Sequence, residues 1–262
     1  FIYEGVSGKL ITSILRPGRR PSGKEVRSII KRVVHRIRTV WPSVGIIIRG
    51  DSHFATPELH AWCDTHRVYH ILGLAGNAVL KTLAQPALSA ARRCFEQTGK
   101  PSRVFRQVRY QAGSWHREFR VIVMAEVSER GDNVRFVVTN LESSQPSFLY
   151  ETVYCDRGRM ENFIKDHKIA LKSGRTSCHS FTANCVRLML HSATYMILHT
   201  LREKLLPGTD FATAQFDTIR LRLLKIAAEV REMKTKLRFI LPSSFPLKNV
   251  FAVMHRNLVL VS

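Results

Sequence analysis

Along residues 22–72 the hydrophobic pattern switches repeatedly between helical spacing and short continuous apolar runs, and this constrains the fold more than any other feature. From Ser22 to Val40 apolar residues recur at helical spacing (Val26, Ile29, Ile30, Val33, Val34, Ile37), with basic residues on the other face. Trp41-Pro42 stops that segment. Val44 to Ile48 is all-apolar and closes on Arg49-Gly50-Asp51, the pattern of a buried strand in an α/β sheet. Thr56-Pro57-Glu58 opens a second helix, a threonine cap followed by proline, that runs to about His66. Val68 to Leu72 is another short strand, and Asn77 to Gln97 another helix. Such alternation predicts an α/β fold.

The flanks are different in texture. Residues 8–15 (GKLITSIL) read as a strand ended by the turn-rich RPGRRPSG. Between Arg103 and Asn140 lie three strand-like runs, VFRQVRYQ, REFRVIVMAEV and VRFVVTN, separated by AGSW and SERGDN. After Pro146 helices are predicted over Phe148 to Leu171 and Phe181 to Leu206. In the tail, LRLLKIAAEV and KLRFILP suit strand or helix, and a short helix follows near Leu247 to His255.

Composition bears on partners. Against 20 Asp+Glu stand 41 Lys+Arg, a formal charge of +21, while 45% of residues are hydrophobic. A foldable chain with that surplus suits polyanions, and a wholly disordered protein is excluded. The basic residues are spread over Arg16 to Arg38, Arg92 to Arg120 and Lys165 to Arg175, as expected for a broad nucleic-acid track. The basic helix of residues 19–38 admits a membrane-surface reading, although a helix of an α/β layer with its basic face towards DNA suits the context better. No apolar stretch is long enough to span a membrane. Five cysteines, odd in number and without a CxxC pair, argue against a disulfide framework and for a reducing cytosol. His60, Cys63, His66 and His70 mimic a zinc box, but the pattern is better explained by a packed cysteine and exposed histidines. Trp115 and Phe119, among Arg109, Arg117 and Arg120, suit either a stacking site or simple core alternation.

Two acids stand out. Asp51 follows the strand ending at Arg49, and functional groups of open α/β sheets gather at strand carboxyl ends, although Gly-Asp-Ser also suits a plain turn. On a uniform helix Tyr154, Arg157, Glu161 and Lys168 fall at about 0°, 300°, 340° and 320°, within roughly a 60° arc. One acid, two bases and a tyrosine on one stripe suit a site; surface pairing of Arg157 with Glu161 is the plain alternative.

The spacing Tyr154-x2-Arg157-x3-Glu161-x6-Lys168, within YCDRGRMENFIKDHK, resembles the Tyr-Arg-Glu-Lys signature of DDE transposases of the insertion-sequence-four superfamily. RGDSHFATPELHAWCD is similar to that family's second-aspartate segment, and RFVVTNL, GRTSCHSFTANCVRLMLHSATYMILHTLR and QFDTIRLRLLKIAAEV to its downstream blocks. The resemblance implies a ribonuclease-H-like core with a β-rich insertion between the second catalytic aspartate and the glutamate. In this chain that means core over residues 1–98, insertion over 99–145, glutamate helix and its successor over 146–210, and a C-terminal segment over 211–262. It implies cut-and-paste cleavage and strand transfer at element ends, with two Mg²⁺ ions, or Mn²⁺ in their place, held by Asp51 and Glu161. Arg157 and Lys168 would hold DNA phosphates, and Tyr154 would contact the backbone or a displaced base. Double-stranded DNA, both element ends and target, is the implied partner, with action as a homodimer, no membrane, and a bacterial cytoplasm at the nucleoid.

Two departures qualify the resemblance. Residues 1–50 contain no Asp, only Glu4 and Glu25, so the family's first aspartate has no counterpart. The chain also opens at Phe1 inside a strand-like pattern, which is the expectation for a copy beginning after that aspartate and inactive alone; a non-catalytic DNA-binding relic is the alternative. Gly174 stands where an acidic residue is expected before Arg175.

Overall fold

The computed structural model of the chain describes Phe1 to Val261, with the side chains of Arg157, Arg159 and Val261 left aside. Two compact units make up the chain: Gly18–Arg157, and Phe1–Pro17 together with Gly158–Ser262.

The unit Gly18–Arg157 is built on one five-stranded mixed sheet. Its strands are β3 (Ile47–Gly50), β4 (Tyr69–Leu74), β5 (Ser102–Tyr110), β6 (Phe119–Ser128) and β7 (Gly131–Thr139), in the order β3-β4-β7-β6-β5. β3 and β4 are parallel and joined through a helix, while the other neighbours are antiparallel. The three strands expected as an insertion thus continue the sheet of β3 and β4. β6 lies at its interior, and its residues alternate between two cores. Val121, Val123 and Ala125 face one core, and Ile122 and Met124 face the other. A run buried on both faces reads as continuously apolar, which is the texture of Val121 to Ala125.

Three helices cover the first face: α1 (Gly23–Val40), α2 (Pro57–Thr65) and α3 (Ala78–Thr98). Each starts where the sequence places a cap, with Ser22, Thr56 and Asn77 accepting from the third amide beyond. α3 ends at Gly99, whose φ of 65° is the left-handed value a C-cap glycine takes most readily. α1 buries Val26 and Val34 in the core shared with the sheet, so its apolar stripe is occupied by protein and the membrane-surface reading loses its basis. The second face is covered by α4 (Pro146–Phe148) and the π-helical turn Leu149–Tyr154, through Leu149 and Tyr150.

One correction concerns β3. The run Val44 to Ile48 is expected as a buried strand, but the ladder begins at Ile47, and Val44 and Ile47 are exposed. β3 pairs only with β4 and is an edge strand, so hydrophobicity overstated its burial.

The second unit places the hairpin of β1 (Ile2–Tyr3) and β2 (Leu10–Thr12) against helices α5 (Gly158–Lys165) and α6 (Phe181–Thr200). Tyr195 Oη donates to Gly8 O at 2.9 Å, and Tyr3, Tyr195, Leu206, Phe216 and Ile219 form the core. At Gly8, φ is 76° and a Cβ would run into the Phe163 ring, so only glycine closes the hairpin onto α5. α7 (Phe216–Thr218), a hairpin of β8 (Glu229–Met233) with β9 (Lys236–Ile240), and α8 (Lys248–Val261) complete the unit. Among the described residues no helix is long and apolar enough to cross a membrane.

Candidate active site

Asp51 follows directly on β3, at the carboxyl end of the two parallel strands. Its Oδ1 accepts from the His53 amide at 2.9 Å and lies 3.3 Å from His53 Nδ1, and its carbonyl accepts from Phe54 N. The turn reading and the site reading of Gly-Asp-Ser therefore coexist: one carboxylate oxygen shapes the loop, and the half-exposed group leaves Oδ2 open.

Tyr154 reaches the same corner from the opposite covering layer. Gly50 pairs with Leu72, so Gly73 is the residue beside Asp51 one step further along. A Cβ on Gly73 would lie 2.8 Å from Tyr154 Oη, 3.1 Å from Ser52 N and 3.4 Å from the Asp51 carbonyl carbon. The missing side chain of Gly73 leaves a space bordered by the tyrosine hydroxyl on one side and by the Asp51–Ser52 peptide on the other. Arg49 fixes the approach: its Nη1 donates to Val153 O at 3.1 Å and to Asp156 Oδ2 at 3.0 Å. Charge-assisted bonds of a largely buried guanidinium are the stronger kind, so the segment carrying Tyr154 is pinned to β3 two residues before Asp51.

The turn Cys155–Arg157 ends this unit; the backbone of Arg157 is 3₁₀-helical, and its side chain lies outside the described residues. Glu161 and Lys168 belong to the other unit. Glu161 lies in the first turn of α5 and Lys168 in the π-helical turn Asp166–Ala170, both exposed. Their support is the hairpin, since Phe163 packs on Tyr3 and its carbonyl accepts from Tyr3 Oη at 3.4 Å. The next residue back from Lys168 is buried: His167 is bonded to Ser173 Oγ and Ser192 Oγ, and burial pushes its pKa down to about 4. Residues 148–171 are not one uniform helix but alternate π, 3₁₀ and α turns, so a constant angular step does not carry from Tyr154 to Lys168.

Behind Asp51 the zinc-like pattern resolves differently from expectation. His60 and His70 are fully buried, not exposed, and their rings share a hydrogen bond of 2.9 Å (Nδ1 to Nε2). Burial lowers their pKa to about 4 and about 3, so both are neutral. Trp115 and Phe119 pack around His60, which settles them as core residues. Asp64 accepts from Arg117 Nε at 2.6 Å, Arg117 Nη2 at 2.9 Å and Asn140 Nδ2 at 3.2 Å, and bonds His116 Nε2 at 3.0 Å. Burial alone would raise its pKa, but these bonds hold the carboxyl below the usual range. Thr139 and Asn140, the TN of RFVVTNL, bracket the His70 peptide: Thr139 Oγ1 donates to His70 O at 2.6 Å and Asn140 Oδ1 accepts from His70 N at 2.8 Å.

Sequence reasoning assigns no role to Arg49 or Gly73 and places Arg120 only among the cations around Trp115 and Phe119. Arg120 is a buried arginine that donates to four consecutive carbonyls, Leu141 to Ser144, and so locks the loop leading to α4. An arginine beside the apolar run Val121 to Ala125 was the available signal.

Residues 1–262 match the family model described as transposase DDE domain, group 1. The chain belongs to this transposase family. No curated protein sequence matches it significantly. Membership gives the chain a transposase function, with DNA as the substrate of the family's chemistry.

Proposed function

We propose that this transposase domain belongs to the insertion-sequence-four superfamily, on a ribonuclease-H-like core, and acts by cut-and-paste on duplex DNA at element ends and target. The observation that carries the reading is the corner where Asp51 and the Tyr154 hydroxyl meet over Gly73, at the carboxyl ends of β3 and β4. Open α/β sheets gather their functional groups at that edge.

Asp51 and Glu161 would be the ligands this chain offers to divalent ions, Mg²⁺ or Mn²⁺. Such ions, when bound, activate water or a 3′-hydroxyl and steady the leaving oxygen of a phosphodiester. The donors fit in kind, since both are carboxylates and Oδ2 of Asp51 is open. They fall short in number. Among the described residues no three His, Cys, Asp or Glu side chains cluster to grip an ion, and residues 1–50 contain no Asp.

The chain's own residues therefore account for binding. Arg157 and Lys168 hold phosphates, and Tyr154, whose hydroxyl borders the space over Gly73, presents its ring to the backbone or a displaced base. Lys24, Arg27, Lys31, Arg32 and Arg36 are exposed along α1, opposite its buried Val26 and Val34, and extend the phosphate track. With two carboxylates of three, the 262-residue chain binds DNA and does not cut it. The second reading is a non-catalytic DNA-binding relic at the nucleoid, which would keep the formal charge of +21.

Fluorescence anisotropy on an element-end duplex, with a parallel cleavage assay in Mg²⁺ or Mn²⁺, tests this. Expected are binding that weakens steeply with salt, because counterion release drives it, and intact strands. Duplex DNA held no better than structured RNA overturns the transposase reading; robust cleavage overturns the two-of-three assignment.

A further inference from the structure

A cavity of about 360 Å³ opens in the unit made of Phe1–Pro17 and Gly158–Ser262, and every residue lining it belongs to that unit. Its walls come from α5, the π-helical turns Asp166–Ala170 and Leu201–Leu205, and the segment that leads into α7. The volume is at the small end of ligand sites. None of its lining residues is among the carboxylates or phosphate contacts assigned above, so failure of those assignments leaves this site standing.

One element of the lining is a fixed guanidinium. Asp166, only 8% exposed, accepts from Arg202 Nη1 at 3.1 Å. The same nitrogen donates to Ala214 O at 3.2 Å, and the guanidinium carbon lies 4.5 Å from the centre of the Phe216 ring. Arg202 Nη2 has no partner among the described residues and is not sealed from solvent, so a held arginine keeps one donor edge unused. Asp217 mirrors it as an acceptor: Oδ1 takes Arg220 Nη2 at 2.8 Å, and Oδ2 is free of partners among the described residues. Lys165 and the side-chain amides of Asn162 and Gln215 complete the polar lining, likewise without partners among the described residues. Phe163 and Ile169 add apolar wall.

We propose that this cavity binds a guanine base. Two cations, Lys165 and Arg202, are matched by two carboxylates, Asp166 and Asp217. In a chain of charge +21 a bare phosphate therefore gains nothing here that the rest of the surface does not offer. The lining offers unused donors and unused acceptors together, beside apolar wall for a flat ring. Guanine matches on two edges: O6 and N7 accept from arginine or lysine, and N1–H and N2–H₂ donate to a carboxylate. Adenine has a donating amino group where guanine has O6, and the pyrimidines have no N7. The base can belong to a free nucleotide or to a nucleotide swung out of DNA, since the recognising chemistry is the same.

Isothermal titration calorimetry of the intact chain with nucleosides is the experiment, because guanosine, inosine and adenosine carry no phosphate and leave the chain's charge out of the comparison. Guanosine should bind at least tenfold more tightly than adenosine and than inosine, which lacks only the N2 amino group. In Asp217→Asn the margin over inosine should shrink to less than about threefold. Lys165→Met should weaken guanosine and inosine alike, at least fivefold, since both keep O6 and N7. Circular dichroism should stay unchanged in both variants, neither residue being part of the core. A second arm distinguishes the sources: fluorescence anisotropy on a duplex with one unpaired guanine, against the same duplex with an unpaired adenine. A guanine preference there that Asp217→Asn removes assigns the site to DNA, and guanosine selectivity without it assigns the site to a free nucleotide. No guanine preference in either arm, or one that survives both substitutions, overturns the assignment.

Discussion

Replacing Gly73 by alanine probes the corner that unites Asp51 with Tyr154. The glycine does not occupy the left-handed region, so alanine meets no backbone strain and gains about 0.4–1 kcal/mol by restricting the unfolded chain. Against this stands overpacking of about 1–3 kcal/mol, because the new Cβ lies 2.8 Å from Tyr154 Oη and 3.1 Å from Ser52 N. The net cost is roughly 0.5–2 kcal/mol. In a Tyr154→Phe background the shortest contact disappears and only the amide contact remains, so the same substitution should cost less than about 0.5 kcal/mol, a coupling of about 1 kcal/mol. Urea unfolding followed by tryptophan fluorescence reads the right unit, since Trp41, Trp62 and Trp115 all lie within Gly18–Arg157. Equal costs in both backgrounds, or a stabilising Gly73→Ala, would refute the idea that the tyrosine hydroxyl occupies the space of the absent side chain.

The buried His60–His70 pair predicts acid sensitivity of the same unit. Both rings stay neutral when folded but protonate near pH 6.5 when unfolded, so below that pH the unfolded chain binds more protons. Stability should then fall as pH drops from about 6.5 towards 4, by up to roughly 1.4 kcal/mol per pH unit for each ring. Urea midpoints at pH 7, 6 and 5 check this, and a flat profile contradicts it. Asp64→Ala strips Arg117 and Asn140 of their shared acceptor and should cost about 2 kcal/mol at pH 7 by the same assay. A loss under about 0.5 kcal/mol would mean the network is ornamental to the fold.

The local elements were legible because their signals are local. The threonine cap at Thr56 announces one helix start, helical spacing announces the neighbouring helices, and the apolar runs announce the strands. Sheet order was not legible, because hydrophobicity records burial and not neighbours; nothing in VRFVVTN states that β7 lies beside β4. The same blindness made β3 look interior and the two histidines look exposed. A histidine has no intrinsic preference strong enough to reveal a buried partner ten residues away. At the candidate site the position of Asp51 after a strand was readable. The meeting with Tyr154 was not, since it depends on a missing Cβ and on the reach of Arg49. The uniform helix that the spacing from Tyr154 to Lys168 suggested is replaced by turns of three pitches.

The central proposal is that Asp51 and Glu161 are both ligands to divalent ions when DNA is bound. Iron-directed cleavage tests it on the intact chain: Fe²⁺ takes the place of Mg²⁺ beside an element-end duplex, and ascorbate with peroxide then cuts the polypeptide next to the metal. Cuts near both Asp51 and Glu161, lost together in Asp51→Asn, are the predicted result. Cuts near only one of them, or a cut at Glu161 that persists in Asp51→Asn, would contradict it.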